Sequence, residues 1–167
     1  MFSLNSLIVL IDKLITMVVT PIVVGLSAAV AFILAWGVFS RSILDIPVFG
    51  LEELVLISAM WLYLMGAVLA AKDRSHLTAD FVSVIFKNKK LIAGMSVLAT
   101  VISLIMALYF VSWSYELLSW SIKKSQTTPV FKLPWYLSQS SLFVGSVALV
   151  FYLIRDFVKD YQKFINA

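Results

Sequence analysis

Four long apolar runs occupy most of the 167-residue chain, at residues 14–39, 51–71, 91–122 and 135–158. At about 1.5 Å per helical residue, each run is long enough to cross the hydrocarbon core of a bilayer, which is about 30 Å thick. Membrane strands are shorter, about 9–11 residues, and alternate in polarity, so these runs predict helices. We therefore predict an all-α membrane protein with four transmembrane helices in a single membrane domain, residues 1–167.

The composition excludes several classes of function. Hydrophobic residues make up 62% of the chain and charged residues 13%, against about 45–50% and 25% in soluble proteins. The chain has no cysteine and one histidine, and it contains no glycine-rich phosphate loop, nucleophile motif or metal-ligand cluster. We therefore expect neither an enzyme nor a cofactor in this chain, and we expect lipid rather than nucleic acid around it.

The distribution of positive charge predicts the orientation. Nine Lys and Arg residues lie at the N-terminus, in the second loop or in the C-terminal tail, and four lie on the opposite side. Because cytoplasmic loops carry the excess of Lys and Arg, both termini are predicted in the cytoplasm. The loops at 40–50 and 123–134 are then predicted on the opposite side. For a multi-pass protein of the inner membrane of a Gram-negative cell, that side is the periplasm.

Two further segments are predicted to lie on the membrane surface rather than to cross it. Residues 3–13 and 76–87 each carry apolar side chains at helical spacing, with polar residues on the other faces. Such a pattern is typical of interfacial amphipathic helices. An ordinary loop of mixed composition is the alternative for each segment.

The spans carry almost no ionisable groups, which are the usual markers of a transport pathway. The first and fourth spans have none in their central turns, and the second has none after Glu53. Glu116 lies in the outer part of the third span, where it is expected near the interface. A self-sufficient four-helix proton-coupled exporter, acting as a homodimer, is an alternative that would depend on this carboxylate. A membrane enzyme or haem subunit is a third reading, although the single histidine excludes bis-His haem ligation within the chain.

An ordered set of landmarks resembles one family. They are Arg41, Pro47, Glu52-Glu53-Leu54, Trp61, Gly66-Ala67, Arg74, His76-Leu77, Asp80-Phe81, Thr128-Pro129 and Leu133-Pro134-Trp135. With four spans, this order resembles the small membrane subunit (the Q subunit) of tripartite ATP-independent periplasmic, or TRAP, transporters, including those of the sialic acid type. The chain departs from the family in two places. Ser125-Gln126-Thr127 stands where a glycine is common, and a proline common early in the last helix is absent.

The resemblance implies a division of labour among three proteins. The family imports organic anions such as sialic acid or C4-dicarboxylates by sodium symport. A periplasmic substrate-binding protein captures the anion, and a large membrane subunit holds the substrate and the sodium. The small subunit is then expected to scaffold the large one and to help dock the binding protein.

Three groups of residues are candidates for these roles. Glu52, Glu53 and Trp61 are predicted at or near the boundary with the large subunit, although acids at a helix N-terminus are also simply solvated. Arg74, His76 and Asp80 are predicted at a cytoplasmic structural turn. Candidates for docking the binding protein are Lys123, Lys124, Lys132 and Trp135, with solvated lysines as the alternative.

Overall fold

The computed structural model describes residues 4–73 and 88–166, with side chains from residue 10 onward. These residues form four helices and no strand: α1 (Leu4–Ile43), α2 (Leu51–Lys72), α3 (Lys89–Lys124) and α4 (Tyr136–Ile165). All four are long and apolar enough to cross a membrane. The prediction of an all-α protein with four spans is thus confirmed.

The first helix is longer than the span predicted for it. α1 is continuous over 40 residues, including Pro21, and therefore joins the predicted surface segment 3–13 to the predicted span 14–39 in one rod. Its length of about 60 Å is twice the thickness of the hydrocarbon core. Part of α1 therefore lies beyond the core, or the helix is strongly tilted. The second predicted surface segment, 76–87, falls outside the described residues.

The helices form an open row rather than a closed bundle. α1 packs along α2, α2 packs along α4, and α4 packs along α3, so the order across the row is α1, α2, α4, α3. The two outer helices therefore each have one main neighbour. Their remaining faces carry large exposed apolar side chains such as Met17, Phe32 and Met106, which lipid or another membrane protein would cover.

Small residues lie where neighbouring helices pack together. Ser138, Ser141 and Gly145 of α4 are all buried. A Cβ atom at Gly145 would lie 3.0 Å from the Cβ of Leu64 in α2, so the missing side chain allows the two helices to approach. Close approach at small residues is how helices associate in lipid, where no hydrophobic force drives them together. The small and polar residues of α4 thus allow it to pack between α2 and α3.

The chain reverses direction at each connection, so the connections and helix termini fall at two distinct ends of the row. The loop end contains the connections at residues 44–50 and 125–135. The terminal end contains the start of α1, the end of α2, the start of α3 and the end of α4. Both ends carry polar contacts between helices, and these contacts form the candidate sites.

Candidate functional site

Glu53, in the first turn of α2, binds the connection between α3 and α4. Its two carboxylate oxygens accept hydrogen bonds from the backbone N–H groups of Val130 and Phe131, at 2.7 and 2.9 Å. Charge-assisted bonds of this kind are shorter and stronger than those between neutral groups. We call this arrangement the loop clasp. Both carboxylate oxygens of Glu53 are therefore bonded to the chain's own backbone.

Gly50 makes the loop clasp sterically possible. It precedes α2 with a φ of +88°, a left-handed conformation that residues with a Cβ rarely adopt. A Cβ at this position would also lie 2.5 Å from Cε2 of Phe131. Backbone conformation and close approach therefore both favour glycine here.

The connection between α3 and α4 is internally hydrogen-bonded. Thr128 and Leu133 exchange bonds, with the Thr128 N–H donating to the Leu133 carbonyl at 2.8 Å and the Leu133 N–H donating to Thr128 Oγ1 at 2.9 Å. The N–H of Trp135 donates to the carbonyl of Gln126 at 3.0 Å. Ser125 ends α3 with a φ of 48°, so serine here adopts the left-handed conformation that glycine favours. The loop is therefore a defined structure that is held against α2.

The docking candidates in this loop differ in their exposure. Lys123 and Lys124 are exposed in the last turn of α3, and Lys132 is exposed near the tip of the loop. Trp135 is half-buried and begins α4 as its N-cap. The three lysines are thus open to a partner, whereas Trp135 has a structural role in the connection.

Trp61 also makes a contact within the chain. Its indole Nε1–H donates to the carbonyl of Leu137, in the first turn of α4, at 2.8 Å. That carbonyl also accepts from the Ser140 hydroxyl at 2.9 Å. Glu53 and Trp61 therefore both connect α2 to the segment around the start of α4, while Glu52 is exposed beside them.

A groove of about 1180 Å³ runs between α1 and α2 and ends beneath the loop clasp. Most of its lining is apolar. Arg41, Asp45 and Glu52 lie among the lining residues nearest the loop end, and Tyr63 lies among those farthest from it along α2. Sequence reasoning did not find this groove, because it depends on the tertiary arrangement of α1, α2 and the two connections at the loop end.

The terminal end contains a buried arginine that connects α4 to α2. The Arg155 guanidinium donates through Nη2 to the carbonyl of Lys72 at 2.9 Å, at the C-terminus of α2. Its Nε donates to Oδ1 of Asp156 at 3.0 Å. The guanidinium carbon also lies 4.8 Å from the centre of the Tyr152 ring. A cation is favourable beside the last carbonyls of a helix, so Arg155 both caps α2 and neutralises a buried acid.

The same end connects α4 to the two outer helices. The Tyr152 hydroxyl donates to Oδ1 of Asp12 in α1 at 2.9 Å. On the other side, the Thr100 hydroxyl of α3 donates to Oδ2 of Asp160 at 2.8 Å. Each of the other three helices thus has a polar contact with α4 at this end, which we call the terminal cluster.

Sequence reasoning missed the terminal cluster, because it used the positive charges of the C-terminal tail, Arg155 among them, only to predict the orientation. A local signal was present, since Tyr152, Asp156 and Asp160 recur at every fourth position and therefore share one helix face. The predicted turn residues Arg74, His76 and Asp80 lie outside the described residues. In the part of the chain that is described, no group of three or more His, Asp or Glu side chains is arranged to hold a metal ion.

Comparison with known proteins returned one family. A family model described as "Tripartite ATP-independent periplasmic transporters, DctQ component" matches residues 30–163. The matched segment begins in the second half of α1 and ends in the last turn of α4, so it includes the groove, the loop clasp and Arg155. No individually curated protein matches the chain.

Proposed function

The chain belongs to the DctQ component family of the TRAP transporters, and from this membership we propose that it is the small membrane subunit of a sodium-coupled importer of organic anions. The match over residues 30–163 carries the proposal. In such a transporter a periplasmic binding protein would deliver the anion, of the sialic acid or C4-dicarboxylate type. A large membrane subunit would hold the anion and the sodium. This chain would scaffold that subunit in the inner membrane.

The open row of helices supports a scaffolding role. Few apolar side chains among the described residues are buried within the chain, so the row offers wide apolar faces to a larger membrane protein. The loop clasp and the terminal cluster hold α2 and α4 together at both ends. Such cross-links between helices suit a scaffold that must stay fixed while another subunit moves.

The direct test is transport by reconstituted proteins. Vesicles containing the large subunit with the binding protein and a sodium gradient should take up the anion only when this chain is also present. Uptake without the chain would contradict the scaffolding role. Transport by the chain alone, driven by a proton gradient and abolished by Glu116→Gln, would instead support the self-sufficient exporter.

The boundary with the large subunit is proposed at the loop-end half of α2. Glu52 is exposed there and free to meet a partner, whereas Glu53 and Trp61 shape the surface through their bonds to the adjacent segments. We expect Glu52→Gln combined with Glu53→Gln to reduce co-purification with a tagged large subunit. Glu116→Gln, which alters an exposed acid on α3, is the matched control. Undiminished co-purification of the double variant would refute the boundary.

Docking of the binding protein is proposed at the lysines of the loop end. Their exposure beside a structured loop supports this role, because a preorganised surface loses little entropy on binding. Reversing the charge of Lys123, Lys124 and Lys132 should raise the concentration of binding protein needed for half-maximal uptake and alter its salt dependence. Reversal of Lys159, exposed at the terminal end, is the control. If uptake by the loop-end variant and by the Lys159 variant both match the wild type, the loop-end lysines are solvated and do not dock the binding protein.

A further inference from the structure

The groove between α1 and α2 has polar groups at two depths. Arg41, Asp45 and Glu52 lie near its loop end. Tyr63 lies 11 residues beyond Glu52 on α2, which is about 16 Å along the helix axis. Between these two levels the lining is mostly apolar. A ligand that forms hydrogen bonds at both levels would therefore carry polar groups about 16 Å apart.

Tyr63 is an unusual residue to leave facing lipid. Its side chain is 71% exposed, and it lies near the middle of α2, about 18 Å from the first residue of the helix. A bilayer core of about 30 Å places that level close to its centre. Among the described residues its hydroxyl has no hydrogen-bond partner. A hydroxyl in hydrocarbon without a partner is costly, and tyrosine is normally enriched at the membrane interface instead.

Tyr109 shows the ordinary placement of an exposed tyrosine. It is 58% exposed on α3, but it lies about 30 Å from the start of that helix, at the level expected for the far boundary of the core. Trp113 and Tyr115 follow it and are also exposed. Tyr109 therefore belongs to an aromatic belt, whereas Tyr63 does not.

We propose that this groove receives a transmembrane helix of the large subunit, and that the Tyr63 hydroxyl donates a hydrogen bond to an acceptor on that helix near the bilayer centre. The inference rests on the proposed function and specifies its contact surface. A phospholipid fits less well, because acyl chains carry no acceptor at that depth. Acids outnumber bases among the side chains of the groove mouth, so the partner helix is expected to carry Lys or Arg there. Its acceptor would then lie about 11 residues away.

Site-specific photo-crosslinking tests the occupant of the groove. A photoreactive residue is introduced at Leu56, which lines the groove, or at Met106 on α3 as the control. Both positions are exposed in the isolated chain. In native membranes that contain the tagged large subunit, the Leu56 position should form an adduct with that subunit and the Met106 position should not. An adduct with lipid alone at Leu56 would overturn the inference.

A hydroxyl deletion tests the hydrogen bond. Tyr63→Phe should weaken the association of the two subunits in detergent by about threefold, the size expected for an average hydrogen bond between membrane helices. Tyr109→Phe should leave the association unchanged. Equal affinities for wild type and Tyr63→Phe would overturn the proposed bond while leaving the subunit assignment intact. Failure of the wild-type chain to associate with the large subunit would instead remove the proposed function itself.

Discussion

Removal of the Arg155 guanidinium should destabilise the chain more than any surface substitution on α4. The side chain is 6% exposed and Asp156 beside it is 1% exposed, and the two are joined at 2.9 Å. Breaking a buried ion pair by removing one partner costs about 3–5 kcal/mol, because the remaining charge is left without its counterion. Asp156 has further interactions, so we take the lower value for Arg155→Met. That is about 3 kcal/mol, or roughly a hundredfold in the unfolding equilibrium.

Reversible denaturation in mixed micelles, followed by tryptophan fluorescence, measures this loss. Lys159→Met is the matched control, since it removes an exposed cation one turn further along α4 and should change stability by less than about 0.5 kcal/mol. Arg155→Lys keeps the charge but loses the planar fork that reaches both the carboxylate and the α2 carbonyls. Its stability should therefore lie between those of the other two variants. Equal stabilities for Arg155→Met and Lys159→Met would refute the assignment of Arg155 as the link between α2 and α4.

Three further predictions concern other contacts in the row. In a double-mutant cycle of unfolding, Tyr152→Phe and Asp12→Ala should show a coupling energy of about 0.6–1.7 kcal/mol, the range for hydrogen bonds between membrane helices. Additive effects of the two substitutions would mean that the bond contributes nothing. Gly145→Ala should lower the unfolding midpoint, because the new Cβ meets Leu64 of α2. Gly66→Ala, with open space around the new Cβ, should leave the midpoint equal or higher. The reverse order of midpoints would contradict close packing at Gly145. Gly50→Ala should increase the rate of proteolysis at the loop end because it opens the loop clasp, and unchanged cleavage would show that the chain tolerates the strain.

The number and approximate extent of the spans were predictable because they depend on local properties. Hydrocarbon thickness sets a minimum length for an apolar helix, and the chain must satisfy its backbone hydrogen bonds within each crossing segment. The helices α2 and α3 accordingly begin and end within about two residues of the predicted runs. The extra turns of α4, residues 159–165, were not predicted because the apolar run ends before them. In these turns Asp160 is buried and accepts a hydrogen bond from Thr100 of α3.

The role of individual polar residues depended on which helices are neighbours, and no local pattern specifies that order. Glu52 and Glu53 are adjacent and chemically equivalent in the sequence. Packing of α2 beside α4 brings the second acid under the backbone of a loop 77 residues away, while the first remains exposed. Likewise, Tyr63 differs from Tyr109 only through its depth and its position in the groove. Side-chain identity thus limited what each residue can donate or accept, and the arrangement of the helices selected its partner.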